Sequence, residues 1–150
     1  MAVQKPRITA KLAGRSVYLS LRAFAVGYFL ATLACDLLFF ASQSSEQRRF
    51  AAAEFALITL WLLAAGLTMT VFAAIAGLID FIGERHFRSV PDLGLFVVGS
   101  LLVFGLEIYN LCLRYADDSD AVMPVGFAFS LSAVIVLLLT PSQGWDRMYR

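Results

Sequence analysis

Charge is scarce in this chain. Asp, Glu, Lys and Arg make up 15% of its 150 residues, where a soluble domain carries about 25%, and apolar residues reach 60%, against about 45–50%. A soluble globular domain is excluded on composition. The net charge of +1 comes from cations scattered over the tails and short polar segments, so the clustered basic surface needed to hold phosphates is missing and nucleic acid is not expected as a partner. Histidine is almost absent. The lone His86, between Arg85 and Phe87, reads as a solvated loop residue. Without a second axial ligand the chain is not expected to hold b-type haem by itself, because Met69 and Met123 have no histidine beside them. The two cysteines, Cys35 and Cys112, both fall in apolar stretches and read as small packing residues rather than as a disulfide or metal pair. Cys35 follows Thr32, Leu33 and Ala34, but a lipidation site wants Leu three residues before the Cys and a short apolar run, and here the run continues to Phe40. Phosphate loops, dinucleotide fingerprints and Ser/His/Asp sets are all missing, so an enzyme is the least supported class and no cofactor or metal is assigned.

What the chain has is apolar length. Four stretches, 18–41, 55–78, 93–113 and 121–140, reach roughly 30 Å or more each at helical rise, the thickness of a hydrocarbon core. Lipid leaves no water for backbone groups, so they pair within helices. The expectation is an all-α integral membrane four-helix bundle with four transmembrane helices, about 17–41, 45–82, 91–114 and 121–140, forming a single domain over 1–150. Residues 1–16 form a basic arm. With that arm cytoplasmic, the inner segments hold Lys5, Arg7, Lys11, Arg15, Arg85, Arg88, Arg147 and Arg150, against Arg48, Arg49 and Arg114 outside, which predicts both termini inside. Trp61, Tyr109 and Tyr115 are expected near the outer interface, and Tyr18, Phe81, Trp145 and Tyr149 near the inner one. Ser89, Pro91 and Asp92 resemble a helix start, Gly83 a helix stop, and 117–120 an acidic turn that caps the fourth helix.

Steps of three and four place one polar or small-residue stripe on each helix. The first carries Arg22, Ala25, Phe29, Thr32 and Asp36; the second Thr59, Gly66, Thr70, Ala73, Gly77 and Asp80. The third carries Ser100, Val103, Glu107, Asn110 and Arg114; the fourth Gly126, Ser130, Ala133, Leu137 and Thr140. Lipid tails solvate Leu as well as Leu does, so helices associate through close backbone approach and polar contacts. The stripes are therefore expected inward, with Gly66, Thr70, Ala73 and Gly77 as a packing ridge. Asp36 and Glu107 are carboxylates at membrane depth, tolerable when paired, protonated or wetted. Asp36, Glu107, Asn110 and Arg114 are predicted to form one buried polar cluster, read first as a static ion pair and second as a proton or cation relay. Asp80, Arg85 and Arg88 read as inner-interface charges, together with Glu84.

With those stripes in view, the chain resembles a family of small bacterial four-helix membrane proteins, domain of unknown function 2231. The resemblance spans 17–149 and rests on Ala34-Cys35-Asp36-Leu37-Leu38, on Ala64-Ala65-Gly66-Leu67, on Ala76-Gly77-Leu78-Ile79-Asp80-Phe81, on Arg114 and on Gly144-Trp145. The family's usual His-Pro opening, its His near the start of helix three and its His-containing ending are missing from 16–22, 91–100 and 146–150. By resemblance, then, a histidine-bound metal or haem is not expected here. The function expected is that of a non-catalytic protein of the bacterial inner membrane, a structural or accessory subunit in contact with lipid and with a larger membrane complex or further copies of itself. A proton- or ion-coupled transporter using Asp36 and Glu107 is the alternative, and a redox subunit touching quinone or haem held by a partner comes third.

Overall fold

In the computed structural model of the chain, the structure describes residues 11–12, 15–42, 49–83, 93–117 and 124–139. The fold is all-α. Four helices follow in order: α1 (Val17–Ser42), α2 (Arg49–Gly83), α3 (Leu93–Asp117) and α4 (Val125–Leu139). Ahead of them the basic arm makes one small antiparallel pairing, β1 (Lys11–Leu12) with β2 (Arg15–Ser16), in which Lys11 faces Ser16 and Leu12 faces Arg15.

With 26, 35 and 25 residues, α1, α2 and α3 are roughly 39, 52 and 38 Å long, each more than a hydrocarbon core. Three spans long and apolar enough to cross a membrane lie within them: Val17–Ala41, Glu54–Ile82 and Gly94–Ala116. The fourth helix differs from expectation. Its 15 residues reach roughly 22 Å, and it starts at Val125 rather than near 121. Proline explains the start: Pro124 has no N–H to continue a helix backwards and disfavours helical geometry in the residue before it, while its carbonyl accepts from Ala128 N at 3.1 Å and opens the first turn. At the other boundaries α3 runs one turn's remainder past Arg114 to Asp117. The expected start of α2 at 45, the Ser89/Pro91/Asp92 helix start and most of the acidic turn lie outside the described residues.

The helices form a ring in chain order. α1 packs most extensively on α2 and α3 on α4, while α2–α3 and α1–α4 meet more lightly; α1 and α3 stand on a diagonal. Down the bundle, Phe39 packs with Phe55 and Ala56 at one end, Phe29, Leu63, Val103 and Ala133 join all four helices in the middle, and Tyr18, Ala73, Ala76 and Phe96 fill the other end without α4. The burial pattern is that of a protein dissolved in lipid. Thr32, Asp36, Thr59, Asp80, Glu107, Asn110 and Ser130 are fully buried, whereas Leu101, Leu138, Leu139 and Trp61 face outward.

Close helix contact occurs where the ridge of α2 predicts it. A Cβ on Gly66 would stand 2.8 Å from Phe29 Cε1 and 3.1 Å from Tyr28 Cβ, and one on Gly77 3.2 Å from Tyr18 Cδ2. Ala73 is buried and Thr70 half-buried on the same ridge. Thr70 returns its hydroxyl to its own helix, donating to Gly66 O at 2.9 Å, as Thr32 does to Tyr28 O at 2.9 Å. These hydroxyls therefore allow close packing without cross-linking helices.

Candidate functional site

At the end of the bundle where α1 and α3 finish, a basic side chain crosses the ring. Arg114 lies in the last turn of α3, where the helix dipole favours a cation, and its length lets the guanidinium reach the diagonal helix. Nη1 donates to Asp36 Oδ1 and Nη2 to Asp36 Oδ2, both at 2.7 Å, the two-pronged geometry that matches a planar fork to a carboxylate. Arg114 Nε donates to Asn110 Oδ1 at 2.9 Å and Nη2 to Ser130 Oγ at 3.2 Å. Asn110 then spends its amide on two acceptors, Glu107 Oε2 and Ser130 Oγ, each at 3.0 Å. One connected network thus ties α1, α3 and α4 together, and Arg114 is only 2% exposed.

The spacing explains why α3 can build most of it. Glu107, Asn110 and Arg114 are three and four residues apart, so each side chain lies over the next on one face. Asp36 and Ser130 occupy the inward stripes of their own helices at the same end.

The structure brings together all four residues of the predicted cluster and adds a fifth. Among the described residues Arg114 forms its ion pair with Asp36 alone, and Glu107 is held through Asn110 rather than by the guanidinium. Ser130, read from sequence only as a packing residue, is the hub that receives both Asn110 and Arg114. The available signal was its position: a hydroxyl on the inward stripe of an otherwise apolar helix, four residues after Gly126. Glu107 Oε1 is the one buried side-chain polar atom among the described residues without a hydrogen-bond partner.

Other predicted residues fall elsewhere. Asp80, read as an inner-interface charge, is fully buried and has a partner. Arg85, Arg88 and Glu84 lie outside the described residues. Tyr18, expected among interfacial aromatics, is buried under Ala73, Ala76 and Phe96, since Gly77 leaves room for its ring. Trp61 and Tyr115 are exposed on the surface of the bundle. Among the described residues no group of three or more His, Cys, Asp or Glu could hold a metal ion.

A helical bundle with lipid-facing apolar sides and a buried charge network defines an integral membrane protein. The chain belongs to the family described as predicted membrane protein, domain of unknown function 2231 (DUF2231), whose model matches residues 21–150. No curated protein and no solved structure shows significant similarity to it.

Proposed function

We propose that the protein is a non-catalytic membrane subunit in which the Asp36–Arg114 pair locks two helical hairpins into one body, and that it serves a larger assembly of the bacterial inner membrane as an accessory component. The observation carrying this reading is the closed network: Arg114 makes four hydrogen bonds to three side chains. A charge so enclosed has its energy tied up in holding α1 against α3 and α4, where a relay needs groups free to exchange partners. In this reading α4 completes a fourth span with its flanking residues, and both termini are cytoplasmic, on the eight-to-three balance of basic residues.

Two measurements test it. After purification in mild detergent, native electrophoresis followed by mass spectrometry should find the protein in one stoichiometric complex. In a background lacking Cys35 and Cys112, Ser119→Cys should react with an impermeant thiol reagent in intact cells and Gln4→Cys should not. A protein that runs alone and carries proton flux in liposomes would sink the subunit reading. One observation favours that second reading, a proton- or ion-coupled transporter: Glu107 Oε1, buried without a partner among the described residues, is a place in the network where a proton could be taken up.

A further inference from the structure

The opposite end of the bundle holds a different feature. A cavity of about 640 Å³ opens between α1, α2 and α3, lined by Tyr18, Arg22, Phe29, Gly77, Phe96 and Ser100 among mostly apolar neighbours. Among the described residues α4 contributes Leu137 to the lining, and the rest comes from α1, α2 and α3. The volume falls within the roughly 300–1,000 Å³ typical of ligand sites. Its walls suit a hydrocarbon chain, and the protein's solvent is lipid.

Arg22 adds a charge at this site. It is half-buried on α1, with its guanidinium 5.0 Å above the Phe96 ring and in reach of the Tyr18 hydroxyl. Unlike Arg114, it makes no ion pair with a carboxylate among the described residues. A cation next to an aromatic face is only partly compensated, and an anion would complete it. Arg22 stands about 8 Å along α1 from Val17, within reach of the interface for a long side chain.

We infer that this cavity is a binding site for an anionic phospholipid, with one acyl chain in the apolar cleft and the phosphate on Arg22. This goes beyond the subunit reading and does not depend on it: the two sites occupy opposite ends of the bundle.

The test titrates delipidated protein in detergent with dioleoyl phosphatidylglycerol, dioleoyl phosphatidylcholine and oleate, counting bound molecules by native mass spectrometry. The parent should retain one phosphatidylglycerol per chain, at least about fivefold more tightly than phosphatidylcholine, the worth of one cation against an anionic lipid. Arg22→Gln should lose that preference and Arg22→Lys should keep it, both with parental thermal unfolding. Ser100→Trp, which fills the cleft, should lose both lipids. Equal binding of the two phospholipids by the parent, or an unchanged preference in Arg22→Gln, overturns the proposal. So does oleate displacing phosphatidylglycerol at equal concentration, which would make the ligand a free fatty acid. If Arg22→Gln does not fold, Arg22→Lys and Ser100→Trp decide: preference kept in the first with lipid lost in the second supports the site, and any other combination overturns it.

Discussion

Removing Arg114 should be far more damaging than removing the whole ion pair. In Arg114→Leu both oxygens of Asp36 lose their donors, Asn110 Oδ1 loses the guanidinium Nε, and Ser130 loses one of two donors, all in a region fully shielded from solvent. Breaking a buried pair by deleting one partner costs about 3–5 kcal/mol, because the remaining charge has been stripped of both water and counter-ion. That is a large part of the roughly 5–15 kcal/mol that holds a domain folded. Asp36→Leu strands the guanidinium and should cost a similar amount. The double variant Asp36→Leu/Arg114→Leu leaves neither charge exposed to the interior and should be more stable than either single. With Glu107→Leu added, apolar packing replaces the charges altogether, and stability should return to within about 2 kcal/mol of the parent. Unfolding followed by circular dichroism in detergent, across an SDS titration, measures the four variants on one scale. If Arg114→Leu loses less than about 1 kcal/mol, or if the double variant loses the sum of the singles, the pair is not a structural lock and the reasoning fails.

Other substitutions separate packing from chemistry. Gly66→Ala should lower stability by about 1–3 kcal/mol, since its Cβ would meet the Phe29 ring at 2.8 Å, whereas Gly77→Ala, at 3.2 Å from a Tyr18 ring edge, should cost less than about 1 kcal/mol. Thermal unfolding in the same detergent ranks the two, and a reversed order would contradict the close approach of α1 and α2. Ser130→Ala removes the acceptor shared by Asn110 and Arg114 and should cost about 1–3 kcal/mol, read in the same titration. Glu107→Gln keeps an acceptor for Asn110 at the Oε2 position and should hold stability within about 1 kcal/mol. Proteoliposomes containing the parent should show no proton flux above empty vesicles; a flux abolished by Glu107→Gln would favour the transporter instead.

Much of this arrangement was legible before any tertiary structure. Glu107, Asn110 and Arg114 must share a face because helical geometry places residues three and four apart above one another, and Asp36 must point inward because an unpaired carboxylate in lipid is prohibitively costly. The solvent itself was readable from apolar length. Partner choice was not. Periodicity orients each stripe towards the bundle axis but says nothing about helix order around that axis or about which stripe stands opposite which. Only the packed ring puts α1 diagonal to α3, so that Arg114 meets Asp36 and leaves Glu107 to Asn110, and only packing carries Ser130 into the network. The same limit applies at the other end. The sequence places Arg22 on the inward stripe of the first helix, but a cavity is a failure of surfaces to meet, and that depends on how α1, α2 and α3 pack. Helix faces follow from local geometry in a uniform solvent, whereas pairs and voids depend on distances between segments remote in the chain, which no local pattern encodes.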